Sequence, residues 1–264
     1  MPVDLLSLEE DLTAEQAALE VELVALEAPA WSIPTPSPTW TVLEQVAHLA
    51  VFDADAALAI TDPSGFDRRR RALLEAATKR GLDAASIGDL RTEEPATVLA
   101  AWQQGAAALR SATGQLSPDD RLAWYGPSMS AASFVTARLM ECFAHGADIR
   151  DALGAPIPAT TRLAPICRLG VMTRGWSYAV RGATPPPGAL RVELRAPGGE
   201  TWRFGDSDGE LVAGPALDFC LVVTQRRNLL DTELEVGPLG ADWLRQAQCF
   251  AGGPTLGPAS SLRR

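Results

Sequence analysis

The chain carries only two histidines, His48 and His145, and that scarcity constrains its fold more than any other local feature. Glu141 precedes His145 by four residues, so on a helix both side chains project from one face, a turn apart. His48 lies far upstream in a second stretch of helical pattern, Thr41-Val-Leu-Glu-Gln-Val-Ala-His-Leu-Ala. Delivered by two packed helices, two imidazoles and one carboxylate make a three-ligand divalent-metal site with a fourth position open to water or substrate. The competing reading is a satisfied core histidine plus an ordinary helix-surface Glu–His pair. No His-Glu-x-x-His and no Cys-x-x-Cys occurs to decide between them.

A net charge of −10 and a pI near 4.8 disfavour nucleic acid and anionic membranes as partners, because both would be repelled. The acidic opening, Met1-Pro-Val-Asp-Leu-Leu-Ser-Leu-Glu-Glu-Asp, has neither a basic leader nor an apolar run able to span a bilayer. Cys142, Cys167, Cys220 and Cys249 are isolated in apolar sequence and read as buried free thiols of a cytoplasmic protein. The expected partner is a small molecule, and the expected state a monomer or homodimer.

The length of 264 residues accommodates two domains. Leu, Val and Ala recur at helical spacing from Val3 to Glu27, and the Pro-rich stretch Ile33-Pro-Thr-Pro-Ser-Pro-Thr breaks the chain. Thr41 with Glu44 forms a capping-box signal for a second helix, holding His48 in its third turn. A helical piece follows from Asp67 to Lys79, and another main helix from Pro95 to Thr113. Ser130 can cap a last long helix to Leu153, with Gly154 and Pro156 as its stop. These four long helices predict a bundle over residues 1–158 with an interhelical site.

Residues 159–264 change character. A helix is expected over Leu163 to Val180, then a Pro-rich boundary, Thr184-Pro-Pro-Pro-Gly. Leu190–Arg195 and Thr201–Phe204 alternate around the turn signal Pro197-Gly-Gly, which predicts a hairpin. A short strand over Glu233–Val236, a helix near Ala241 to Phe250 and a frayed tail from Gly252 complete a small α+β domain.

Together these pieces resemble the DinB-like metal-binding superfamily, in its mycothiol-dependent maleylpyruvate isomerase branch. The match is carried by Trp40 through His48-Leu-Ala, by Glu141-x-x-x-His145-Gly-x-Asp148, by Trp124-Tyr-Gly-Pro-Ser-Met-Ser, and by Asp218-Phe-Cys-Leu-Val-Val-Thr-Gln-Arg226-Arg227. The resemblance implies a four-helix bundle with a C-terminal α+β domain over the site, zinc on His48, Glu141 and His145, and mycothiol or another low-molecular-weight thiol as cofactor. Phe143 and Ala147 stand near His145 where the branch often has Trp and Gln, which implies a differently shaped pocket.

A thiol entering the open position of such a site becomes a thiolate at neutral pH. Its addition to an electron-poor double bond, with later expulsion, isomerises the bond; without expulsion the product is a thioether. Either route needs a cation for the developing negative charge, and Arg226 and Arg227 are the candidates. The alternative for at least one of them is a solvated helix end. Asp148 is a candidate for orienting a ligand or a metal-bound water, or else a surface acid. Arg68 to Arg71 read as a solvated helix face, with one of them free to meet a thiol carboxylate. The resulting expectation is a metal- and thiol-dependent isomerase or S-transferase. A cofactor-independent biosynthetic cyclase or isomerase on the same fold, and a non-catalytic binding module, remain the alternatives.

Overall fold

The computed structural model describes residues 4–261. Two compact units divide the chain, Met1–Pro156 and Ile157–Arg264.

In the first unit, helices α1 (Leu5–Val24), α2 (Val42–Thr61), α5 (Pro95–Thr113) and α6 (Ala131–Leu153) form the bundle, while α3 (Pro63–Arg80) and α4 (Leu82–Ile87) make an excursion between α2 and α5. The bundle starts and stops where the side chains provide caps. At α2 the Glu44 carboxylate accepts from the Thr41 backbone N–H at 2.6 Å and from its hydroxyl at 2.9 Å. Because α2 begins at Val42, His48 falls in its second turn, one turn earlier than expected. The Ser130 hydroxyl accepts from the Ser133 N–H to open α6. Gly154 closes α6 in the left-handed conformation, φ 65°, with backbone donors returning to the Arg150 and Asp151 carbonyls. A two-stranded ladder, β1 (Arg121–Leu122) with β2 (Met129–Ser130), leads into it.

Helix α6 is buried on nearly every side, so its polar residues must find partners inside the protein. Arg150 pairs with Glu22 of α1 at 2.9 Å. Arg138, Glu141, His145 and Asp148 follow at steps of three or four, one stripe along a single face. All four reach α2: Arg138 bonds Asp53 at 3.1 Å, Glu141 lies 3.7 Å from His48, His145 bonds Gln45, and Asp148 accepts from Gln45 at 3.2 Å. On its other side α2 approaches α5 closely: a Cβ at Gly105 would meet the Ala50 carbonyl oxygen at 3.0 Å. The four consecutive arginines of α3, Arg68 to Arg71, do not form a free cationic face. Arg68 pairs with Asp62, Arg69 with buried Asp55, and Arg70 and Arg71 with Asp67.

In the second unit, strands β3 (Leu190–Arg195), β4 (Thr201–Gly205), β5 (Glu210–Pro215) and β6 (Glu235–Val236) form one sheet in the order β4-β3-β5-β6. The hairpin across Pro197-Gly-Gly is present, with β3 and β4 antiparallel. Strand β5 runs parallel to β3 and was not expected: Gly214 and Pro215 at its end read as loop residues, and only the neighbouring strands supply its pairing. The helix expected over Leu163–Val180 is two helices, α7 (Leu163–Met172) and α8 (Arg174–Ala179), parted at Thr173. At the junction the Leu169 carbonyl accepts both the Thr173 hydroxyl at 2.7 Å and the Thr173 N–H at 3.0 Å. Helix α9 (Ala216–Val223) follows β5, and α10 (Pro238–Leu244) is shorter than expected. The segment after Gly252 is tied down, not frayed: Thr255 bonds Gln225 and Gln248, and the Ser261 N–H donates to Asp231. All four cysteines are buried free thiols. Among the described residues no helix is long and apolar enough to cross a membrane.

Candidate metal centre

His48, Glu141 and His145 meet in the first unit. Each offers one ligand atom, and these atoms lie within 4.8 Å of one another. The Glu141 Oε2 atom is 3.1 Å from His145 Nε2 and 3.7 Å from His48 Nε2. The imidazole centroids are 4.3 Å apart. Burial works to raise the Glu141 carboxyl, but hydrogen bonds to His145 and His48, together with the positive charge of Arg138, hold it well below the usual carboxylate range. The group is therefore an anion at neutral pH.

The two histidines are held differently. His48 sits among rings, with Phe52 at 4.4 Å and Trp40 at 5.3 Å between centroids. Its Nδ1 is buried without a hydrogen-bond partner among the described residues. His145 is gripped by polar contacts, with Gln45 Oε1 2.5 Å from Nδ1. Trp40 also stacks on His145, at 6.0 Å. The Gln45 amide oxygen can only accept, so His145 Nδ1 carries a hydrogen. His145 Nε2 then faces the Glu141 carboxylate at 3.1 Å, and an electropositive particle, a proton or a metal ion, has to lie between them. Two imidazoles and one ionised carboxylate at this separation fit a zinc-type divalent cation.

Asp148 is not a surface acid. It is buried and accepts from the Ser37 hydroxyl at 2.9 Å and the Gln45 amide at 3.2 Å. It reaches the centre through Gln45. Neither Gln45 nor Ser37 is evident from metal-ligand spacing. The available signal is that Gln45 lies three residues before His48, on the same face of α2. The Pro-rich stretch that reads as a simple breaker folds back on itself: Thr35 N–H bonds the Trp40 carbonyl at 2.8 Å and Val42 N–H the Ile33 carbonyl at 3.1 Å. That loop delivers Thr35, Ser37 and Trp40 to the centre. Cys142, beside Glu141, is no nucleophile: burial first, then the negative charges of Glu15 and Asp53, push its thiol well above the ordinary range.

Arg226 and Arg227 belong to the second unit, just beyond α9. Both are half-buried and fold back onto main-chain carbonyls, Arg226 to Thr224 at 2.6 Å and Arg227 to Arg226 at 2.8 Å. The segment is fixed by Gln225 at φ 62° and by both arginine N–H groups donating to the Leu221 carbonyl. Neither is a freely solvated helix end.

A helical bundle and a separate α+β unit define a class of protein, and comparison with known proteins agrees. Residues 12–150 match the family described as mycothiol maleylpyruvate isomerase N-terminal domain, and the chain belongs to that family. Two relatives, uncharacterized proteins from two strains of Mycobacterium tuberculosis, are each 43% identical over 251 residues, covering 94% of this chain and 96% of theirs. Crystal structures of mycothiol-dependent maleylpyruvate isomerase and of its histidine-to-alanine mutant share the fold, with TM-scores of 0.57 and 0.56. Identity to them is 16% and 15%, over 85% of this chain and 90% of the other.

Proposed function

We propose that the protein is a divalent-metal-dependent enzyme that uses a low-molecular-weight thiol, mycothiol where the cell makes it, either to isomerise an electrophilic small molecule or to transfer the thiol onto it as a thioether, in the cytoplasm. The observation that carries this reading is the convergence of His48, Glu141 and His145, with their ligand atoms within 4.8 Å. The thiol comes from the family, whose structurally described member is mycothiol-dependent. The buried state of all four cysteines supports an external thiol, since none is available as nucleophile.

His48, Glu141 and His145 would hold the metal, zinc by family analogy. A bound zinc-type cation supplies a Lewis acid that favours thiolate over thiol at neutral pH. The protein's own residues do the rest. Glu141 contributes negative charge, and Asp148 and Gln45 orient His145. The Trp40 and Phe52 rings keep water from the His48 side. Arg226 or Arg227 is assigned to the negative charge that develops on the substrate when a nucleophile adds to it.

The test begins with metal analysis of protein purified without chelator, followed by thiol titration of the cobalt-substituted form. One bound metal and a spectral change on thiol addition are expected, since sulfur would replace water. With maleylpyruvate as probe electrophile, Arg226→Met or Arg227→Met should lower turnover by roughly a hundredfold with metal content unchanged. Full activity in protein stripped of metal and thiol would overturn this reading and favour the cofactor-independent isomerase or cyclase. A metal that admits neither water nor thiol would favour a structural centre.

A further inference from the structure

We propose that Gln45 is the positioning residue of the metal centre: its side-chain amide is oriented by Asp148 and Thr35 so that His145 presents only Nε2 to the cation. The inference rests on the metal reading above and adds a residue that no ligand pattern contains.

The argument is one of donors and acceptors. Gln45 is completely buried, so each amide atom must be satisfied inside the protein. Its Nε2 lies 2.9 Å from Thr35 Oγ1 and 3.2 Å from Asp148 Oδ2. Thr35 Oγ1 gives its own hydrogen to the Trp40 carbonyl at 2.9 Å, which leaves it an acceptor toward Gln45. Asp148 Oδ2, which also takes the Ser37 hydroxyl hydrogen, is an acceptor as well. Both groups on that side therefore demand the NH2 end of the amide. A flipped Gln45 would set its carbonyl oxygen against a carboxylate and a lone pair. The oxygen must point the other way, and there it meets His145 Nδ1 at 2.5 Å. The polarity runs from Ser37 and Thr35 through Asp148 and Gln45 to the imidazole, and it ends by assigning the Nδ1 hydrogen. The lone pair is left on Nε2, beside Glu141.

Gln is the residue that can do this. Leu fills the space and carries no polarity, whereas Glu accepts from His145 but confronts Asp148 with a second carboxylate. A metal-ligating histidine whose other nitrogen loses its partner typically loses about 10- to 100-fold in metal affinity.

The experiment uses the full chain with nitrogen-labelled histidine, metal-free and cadmium-loaded, and measures zinc affinity by competition with a chelator. In the wild-type protein His145 should show a slowly exchanging Nδ1 hydrogen and a metal coupling to Nε2 alone. Gln45→Leu should lose the protected hydrogen and bind zinc about 10- to 100-fold more weakly. Gln45→Glu should also weaken binding, and the double variant Gln45→Glu/Asp148→Asn, which reverses donor and acceptor, should recover most of it. Rescue by reversal is an effect that space-filling alone does not produce. An unchanged Nδ1 hydrogen and unchanged affinity in Gln45→Leu would overturn the assignment, as would a double variant no better than Gln45→Glu. Wild-type protein that shows the protected hydrogen but no metal coupling would instead overturn the metal reading and leave the Gln45 assignment standing.

Discussion

Asp53 and Glu141 lie along the same α2–α6 seam, share the influence of Arg138, and have opposite characters. Asp53 is saturated: its carboxylate receives Gln16 at 3.1 Å, Trp102 at 3.2 Å, and Arg138 through two nitrogens at 3.3 and 3.1 Å. Burial raises its pKa despite those donors, which means that desolvation outweighs what Arg138 and the neutral partners return. Glu141 is partly exposed, and its close partners among the described residues are two imidazoles, which with the charge of Arg138 hold its pKa down. A carboxylate whose acceptor sites are filled by the protein specifies packing. One that stays ionised between two imidazoles is suited to hold a cation. The same residue class thus does fold work at one level of the bundle and lines the candidate metal centre about one turn away.

The largest effect that would sharpen this contrast is His145→Ala. Metal retention should fall to trace levels while cooperative unfolding of the metal-free protein persists, because Leu, Val and Ala side chains supply the core. Stoichiometric metal in this variant would break the comparison. Asp53→Ala should do the reverse. It strands the buried Arg138 guanidinium, which is 2% exposed, and should cost about 3–5 kcal/mol. That corresponds to a drop in Tm of roughly 10 °C in thermal unfolding, with metal stoichiometry preserved in the folded fraction.

A pH series distinguishes the two carboxylates more finely. The raised pKa means that folded protein keeps the Asp53 proton at pH values where the unfolded chain, near a pKa of about 3.9, has released it. The Asp53 contribution to stability is therefore fully present below about pH 4 and declines as pH rises through the folded pKa. The unfolding free energy of wild type minus Asp53→Asn should decrease across that window in denaturant titrations of metal-free protein. A difference that grows with pH would mean that Arg138 dominates after all. The smallest effect concerns the framework that places His48: Thr41→Ala removes the hydroxyl contribution to the α2 cap and should cost about 1 kcal/mol, without changing metal content.

How much of this was legible follows from the range of each interaction. The caps of α2 and α6 and the β3–β4 hairpin depend on residues a few positions apart, so Thr41/Glu44, Ser130, Gly154 and Pro197-Gly-Gly announce them. Strand β5 is different. Glu210-Leu-Val-Ala-Gly-Pro has little strand character of its own, and its place comes from pairing with β3 and β6. The split between α7 and α8 at Thr173 was equally hidden, since the helical pattern runs through it.

The candidate centre shows the same division. Helical geometry by itself puts Glu141 and His145 on one face, and composition by itself leaves His48 as the only other imidazole. That His48 meets them, that the Pro-rich loop returns Ser37 and Thr35 to their side, and that Gln45 bridges 100 residues to His145 and 103 to Asp148 were decided by tertiary packing alone. The physical reason is directional. Periodicity tells which face a side chain occupies, but a hydrogen bond also needs a partner of the opposite polarity at about 3 Å, and only the packed chain fixes which one is there.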